Sequence, residues 1–162
     1  MSILFINGGE KGGNTSALGQ RLLAGHDFDQ IDLADHKVYD YGQHFDDDEF
    51  DQVLARFKQA DTIVLGSPVY WHDLSGMIRN LLDRFYGPVA EGSMAGKRLF
   101  FIFQGAAPTP AMLERAEYTV SRFAGLYGME YMGMATNARE AADLAFVRSE
   151  ERRVGKECRS RW

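Results

Sequence analysis

The chain has 162 residues, 45% of them hydrophobic, a single cysteine and a formal net charge of −5. This length suits one domain with a sizeable core, and the lone cysteine excludes a disulfide-stapled fold and a cysteine-ligated metal cluster. The mild acidity argues against a nucleic-acid binder, and the absence of an apolar run long enough for a signal or membrane segment predicts a cytoplasmic protein.

Strand-like and helix-like segments alternate from the N-terminus. Residues 3–6 are a continuous apolar run that predicts a buried strand, and a helix over about residues 14–24 follows a glycine-rich loop. Residues 28–33 alternate apolar and acidic side chains, which is typical of an edge strand. The acidic run 46–49 is expected to open a second helix, where negative charge complements the helix dipole.

The middle of the chain continues the alternation. Residues 62–65 predict a third strand, residues 75–85 a third helix and residues 99–103 a fourth strand. Within the third helix, Asp83 and Arg84 are expected to orient the helix by pairing.

A fourth helix and a fifth strand follow. Thr109 and Pro110 have the residue types of an N-cap and a first helical position, and Gly128 is expected to end this helix. A weaker strand over residues 131–136 and a last helix from Arg139 complete the pattern.

Five strands with intervening helices predict an α/β fold with a doubly wound, five-stranded parallel sheet. The first, third and fourth strands are apolar on both faces and should be central, whereas the second and fifth are mixed and should be edges. This ranking fits the strand order 2-1-3-4-5, which places a ligand at the carboxyl ends of the first and third strands.

The C-terminal residues 148–162 differ from the rest, with six Lys+Arg and three Glu. They admit three interpretations: a basic solvated tail, a patch for nucleic acid or acidic lipid, or a translated sequencing-library adapter, which we favour. On the adapter interpretation the domain covers residues 1–147, which carry 12 Lys+Arg and 20 Asp+Glu and a charge of −8. Cys158 and Trp162 would then be foreign to the protein.

The glycine-rich loop, residues 7–16, leads into the first helix and suits an anion, because glycine backbone approaches closely and a helix N-terminus offers free N–H groups. It lacks the Walker A lysine and the spacing of the dinucleotide fingerprint. We therefore predict a monophosphate held by backbone amides, Asn14, Thr15 and Ser16, with Lys11 as a point charge. The alternative is a flexible turn in which Asn14 or Thr15 only caps the helix.

Two further loops are expected at the same edge of the sheet. The segment after the third strand combines a stiffening Pro68 with the adjacent aromatics Tyr70 and Trp71, which are suited to a flat heteroaromatic ring. Small residues after the fourth strand, at 104–107, allow the backbone to approach a ring edge. The alternative is that Tyr70 and Trp71 only cap the core or an oligomer interface.

In combination, the Gly-Asn-Thr turn at 13–15, the Ser-Pro-Val-Tyr-Trp loop at 67–71 and the Leu-Leu-Asp-Arg-Phe helix segment at 81–85 resemble the flavodoxin-fold NAD(P)H-dependent oxidoreductases, the FMN reductase and quinone reductase group. The resemblance covers residues 1–147. It implies an FMN enzyme that takes a hydride from NAD(P)H and reduces a quinone, a nitro or azo compound, or free flavin. The flavin carries the chemistry, so no acid–base residue is obligatory.

The resemblance also implies where the cofactor binds. The phosphate would lie at Gly9, Lys11 and Asn14 to Ser16, and Tyr70, Trp71 and His72 would line the acceptor site. The flavin ring would lie between two sets of residues, which are Pro68, Val69, Tyr70 and Trp71 on one side and Gln104, Gly105 and Ala106 on the other. One difference stands out, since Gly9-Glu10 replaces the Ser-Pro common in the family, which removes a hydroxyl donor and adds a negative charge.

Two alternative functions remain at this point: a flavodoxin-type electron carrier that docks to redox partner proteins, and a sheet that has lost flavin and serves as a binding module. The histidines lack metal-ligand spacing, so no metal is expected. A homodimer is expected because the apolar stripe of the third helix is broader than one sheet face needs. The stripe consists of Met77, Ile78, Leu81, Leu82 and Phe85.

Overall fold

The structure, a computed structural model, describes residues 1–144, and the predictions for residues 145–162, the adapter tail included, lie outside them. The elements are β1 (Ile3–Asn7), α1 (Asn14–Leu22), β2 (Asp29–Asp32), a 3₁₀ turn (Leu33–Asp35), α2 (Phe50–Gln59), β3 (Thr62–Tyr70), β4 (Asp73–Leu74), α3 (Gly76–Asp83), β5 (Arg98–Gln104), α4 (Pro110–Leu126) and β6 (Glu130–Ala135). A further helical segment begins at residue 138.

The main sheet has the spatial order β2-β1-β3-β5-β6 with all neighbours parallel, which confirms the predicted doubly wound α/β class. The parallel path has the five predicted strands, and a sixth, short strand was not predicted. The two-residue β4 pairs antiparallel with β3 outside this path, so the order that the sequence gives as 2-1-3-4-5 becomes 2-1-3-5-6. The arrangement of the parallel strands in space is the expected one.

Burial separates the central strands from the edges as predicted. Every residue of β1 is buried, and so are the first seven of β3 and the middle five of β5, whereas β2 and β6 are mixed. Helices α2, α3 and α4 cover one face of the sheet, and α1 with the segment from residue 138 covers the other. Within residues 1–144, no helix has the length and apolarity to cross a bilayer.

The predicted caps of α4 are confirmed. The Thr109 hydroxyl accepts a hydrogen bond from the Met112 N–H at 3.4 Å, and Pro110 is the first helical residue. Gly128 follows the helix end with φ +81°, a left-handed conformation that favours glycine.

The acidic run precedes α2 and does not form its first turn, which corrects the sequence prediction. Asp48 accepts a hydrogen bond from the Phe50 N–H at 2.9 Å, and its other oxygen lies 2.7 Å from the Arg84 guanidinium. Asp47 binds the Lys37 ammonium at 2.6 Å, and hydrogen bonds from Lys37 and Tyr39 lower the pKa of this carboxyl. The run therefore ties the loop before α2 to its surroundings.

Arg84 forms its ion pair with Asp48, in the loop before α2, and not with its neighbour Asp83. The predicted pairing of Asp83 with Arg84 was therefore wrong. The Arg84 guanidinium also donates to the Tyr39 carbonyl at 2.9 Å and lies 4.5 Å from the Phe50 ring centroid. The apolar stripe of α3 packs against the core of this same chain. Ile78, Leu81 and Phe85 are fully buried in its core, so the stripe itself is no evidence for a dimer.

Candidate functional site

A cleft of about 320 Å³, here called the main cleft, lies at the carboxyl ends of β1, β3 and β5. This is the switch point at which the sequence predicts a ligand. Eight of the twelve residues predicted to hold the cofactor line it. The lining residues are Glu10, Gly13, Asn14, Thr15, Pro68, Val69, Tyr70, Gln104, Gly105 and Ala106.

One end of the main cleft is the N-terminus of α1. Its N-cap is Gly13, which has no side chain to cap the helix, and the first amide bonded within the helix is Ala17 N–H to the Gly13 carbonyl at 3.0 Å. The amides of residues 14–16 thus have no partner within the helix. Thr15 is 3% exposed and belongs to both the helix and the cleft lining. Free amides beside a hydroxyl suit a phosphate.

A hydrogen-bond relay fixes the glycine-rich loop against β3. The Gly8 N–H donates to the Gly66 carbonyl at 2.8 Å, and the Ser75 hydroxyl donates to the Gly8 carbonyl at 2.7 Å. The Ser75 N–H donates in turn to the Ser67 hydroxyl oxygen at 2.8 Å. The N-cap of α3 therefore positions both walls of the cleft at once.

The wall of the main cleft that follows β5 requires glycine at position 105. A Cβ on Gly105 would lie 2.8 Å from the Val69 side chain, closer than real contacts allow. The backbone after β5 therefore packs directly against β3, and both Gly105 and Val69 face the cleft. A flat ring bound here would lie over this contact and touch the Gly105 backbone and the Val69 and Tyr70 side chains.

The aromatic segment is a β-hairpin, which the sequence did not predict. β3 extends through Tyr70, and β4 returns from Asp73, so Trp71 and His72 form a two-residue turn with φ of +48° and +67°. Such turns usually contain Asn-Gly or Asp-Gly, and that signal is absent here. Arg115 of α4 donates to the His72 carbonyl at 2.9 Å and holds the turn in place.

Because bulky residues at positive φ are strained, replacing the turn by Trp71→Asn with His72→Gly should stabilise the protein. We expect the free energy of unfolding in urea to rise by about 1 kcal/mol. Trp71→Ala alone is the control, since it leaves a non-glycine residue at each position. Equal unfolding free energies for the double variant and the wild type would contradict the strain.

Trp71 and His72 lie beside the main cleft and not in it. They line a second cavity of about 300 Å³, here called the side cavity, with Ala107, Pro108 and Met112. Val69, Gly105 and Ala106 line both. Trp71 is 95% exposed, so its indole is free to contact a ligand or another chain.

Three predicted phosphate residues have other contacts. The Lys11 ammonium binds the Asp35 carboxylate at 2.5 Å, an interaction that raises the pKa of Lys11, and Lys11 does not line the main cleft. The Gly9 N–H donates to the Asn7 side-chain oxygen at 3.1 Å. Ser16 is buried, and its hydroxyl oxygen lies 3.5 Å from the Gln30 amide. The contacts of Gly9, Lys11 and Ser16 therefore depend on how the loop folds and do not follow from its residue types.

The cleft contains two residues that the sequence prediction did not assign to the cofactor, Glu10 and Gly13. Gly13 was detectable as the residue before the helix, and Glu10 was noticed only as a departure from the family pattern. Within residues 1–144, no group of three or more His, Cys, Asp or Glu side chains is placed to hold a metal ion.

Comparison with known proteins agrees with this geometry. The family described as NADPH-dependent FMN reductase matches residues 1–142. A protein of Bacillus subtilis strain 168, provisionally named an NAD(P)H-dependent FMN-containing oxidoreductase, is 29% identical over 98 residues, 52% of this chain and 52% of the relative. An FMN-dependent NADH:quinone oxidoreductase of Methylorubrum extorquens is 33% identical over 113 residues, 56% of each chain.

The chain spans about half the length of the curated relatives it matches. Among solved structures, the Trp repressor binding protein from Bacillus subtilis superimposes with a TM-score of 0.71 at 18% identity, over 89% of this chain and 98% of that one. At this identity the likeness concerns the fold alone.

Proposed function

The chain belongs to the NADPH-dependent FMN reductase family, and from this premise we propose that it binds FMN in the main cleft, oxidises NAD(P)H and reduces a small acceptor. The observation that carries the proposal is the position of the cleft. It extends from an uncapped helix N-terminus to residues 68–70 and 104–106 at the switch point of the sheet. A flavin mononucleotide has the matching parts, a phosphate at one end and a flat ring at the other.

The phosphate end of the proposed site is the first turn of α1. The free amides of residues 14–16 and the Thr15 hydroxyl would donate hydrogen bonds to phosphate oxygens. The Asn14 side chain also lines the cleft and can add a donor. No lysine or arginine among the described residues lines this cleft, so the phosphate would be held by neutral donors.

The ring end of the proposed site lies between residues 68–70 and 104–106. The Gly105 backbone and the Val69 and Tyr70 side chains would hold the ring and exclude water from one of its faces. When bound, FMN supplies the two-electron chemistry that takes a hydride from a nicotinamide. The residues of this chain need only bind and orient the reactants.

The side cavity is the proposed place for the acceptor, because it shares Val69, Gly105 and Ala106 with the main cleft. Trp71 and His72 line this cavity, Tyr70 lines the adjoining main cleft, and Trp71 offers an exposed aromatic face. Flat electron acceptors stack on such a face, so we propose a quinone, a nitro or azo compound, or free flavin as the acceptor class. The Methylorubrum relative, named for a quinone, supports the first of these.

The proposal is tested by purifying the full chain with FMN, removing free flavin and recording the visible spectrum before and after anaerobic addition of NADH or NADPH. We expect a bound flavin spectrum that bleaches with a nicotinamide and without any protein partner. A yellow protein that does not bleach would instead indicate the flavodoxin-type electron carrier. A colourless protein that fails to bind added FMN would overturn both functions.

We also propose a homodimer through the outer face of α3 and α4. Tyr86, Tyr118 and Leu126 are 67%, 67% and 42% exposed and border one groove between the two helices. Exposed aromatics around a groove are enriched at interfaces between chains. Sedimentation equilibrium of the full chain should give twice the monomer mass, and a monomer at all micromolar concentrations would contradict the dimer.

A further inference from the structure

Glu10 is a charged residue in an otherwise neutral cleft. It is exposed and stands at the same end as the N-terminus of α1. Its backbone is fixed, since its carbonyl accepts hydrogen bonds from the Gly13 N–H at 3.0 Å and from the Asn7 side chain at 3.3 Å. The Glu10 side chain therefore starts at a defined point beside the first turn of α1.

No cation of residues 1–144 offsets this carboxylate inside the main cleft. Among the described residues that line it, Glu10 is the one with an ionised side chain. The adjacent cation, Lys11, is bound to Asp35. A second acid of this region, Asp32, accepts amide hydrogen bonds from Asn7 and Gln30 at 2.8 and 2.9 Å, and its charge acts with that of Asp35 to raise the pKa of Lys11, so the two carboxylates share this one ammonium. The local charge is thus negative where the proposed site needs to accept a phosphate.

We propose that Glu10 is a specificity residue that opposes the flavin phosphate and so reduces the preference of this cleft for FMN over riboflavin. The proposal rests on the proposed function. Two like charges a few ångströms apart at a protein surface repel, and the helix amides that attract the phosphate must act against this repulsion. Riboflavin has the same ring without the phosphate, so it does not experience the repulsion.

The test compares the dissociation constants of FMN and riboflavin, measured by flavin fluorescence at pH 8, for the wild type, Glu10→Gln and Glu10→Lys. We expect Glu10→Gln to tighten FMN binding about 5-fold, and Glu10→Lys about 20-fold, with riboflavin changed less than about twofold. Glu91→Gln is the matched control. Glu91 is also exposed, but it precedes β5 and so lies toward the opposite edge of the sheet.

The possible failures are distinguishable. FMN and riboflavin affinities that shift together, or an FMN affinity that Glu10→Gln and Glu10→Lys leave unchanged, would overturn the role of Glu10 and leave the proposed function standing. Binding of neither flavin by any variant would overturn the proposed function and this inference with it. An equal effect of Glu91→Gln would show that net charge, and not the position of Glu10, governs the affinity, which also overturns the inference.

Discussion

Thr15→Val should weaken FMN binding by about 10- to 100-fold, because a hydrogen bond to a charged group contributes about 1.5–3 kcal/mol. Thr15 is 3% exposed, lines the main cleft and lies in the first turn of α1, where its hydroxyl can reach a phosphate. Valine has nearly the same shape, so the helix and the packing should persist. Titration of flavin fluorescence measures the effect, and riboflavin should bind as it does to the wild type.

Thr119→Val provides the matched control for this substitution. Thr119 lies on α4, and its hydroxyl donates to the Arg115 carbonyl at 3.1 Å, outside the main cleft. FMN affinity should be unchanged in this variant. An FMN affinity within twofold of the wild type in Thr15→Val would show that the hydroxyl does not bind the phosphate, and a parallel loss of riboflavin binding would indicate damage to the cleft itself.

Phe85→Ala should lower the free energy of unfolding by about 3–5 kcal/mol, a large part of the stability of an ordinary domain. Phe85 is fully buried and is the shared member of an aromatic cluster. Its ring centroid lies between 4.9 and 6.1 Å from those of Phe50, Phe57, Phe123 and Tyr127. Alanine would leave a cavity where α2, α3 and α4 meet.

Phe85→Leu is the informative companion, since it keeps most of the buried volume and removes the ring. We expect it to cost about 1–2 kcal/mol in the same urea unfolding experiment. Equal losses for the two variants would show that the edge-to-face ring contacts matter more than the cavity. A loss under 1 kcal/mol for Phe85→Ala would contradict the packing of the cluster.

Much of the fold was predictable because it depends on patterns that act over short distances. The buried strands are continuous apolar runs, and the cap of α4 needs only Thr109 followed by Pro110. The strand order follows from the contrast between fully apolar and mixed strands. The position of the main cleft then follows from the order, because the winding reverses between β1 and β3.

The hairpin after β3 was not predictable in this way. A two-residue hairpin turn is usually recognised in a sequence by glycine or asparagine, and the turn Trp71-His72 contains neither. Its conformation depends on the pairing of Val69 with Leu74 across the turn and on a distant partner, Arg115, which donates to the His72 carbonyl. Arg115 and His72 are 43 residues apart in the chain, so a local pattern does not reveal this contact.

Charged residues show the same limit. Lys11 stands in a phosphate-like loop, but the 3₁₀ turn after β2 places Asp35 within its reach. Arg84 stands beside Asp83 and pairs with Asp48. A long charged side chain selects its partner by distance in space, and the neighbour in sequence is often not the nearest in space.

By itself, the sequence determined the α/β class, the central and edge strands, the edge of the sheet that holds the cleft and the family resemblance, because periodicity and glycine spacing are local properties of the chain. Only the tertiary structure decided which side chains face that cleft. In the folded chain, Lys11 pairs with Asp35 and Trp71 lies in a strained turn beside the cleft. Glu10 lines the cleft itself. The physical reason is that side-chain direction in loops depends on contacts between separate elements, and these exist only once the sheet and helices have packed.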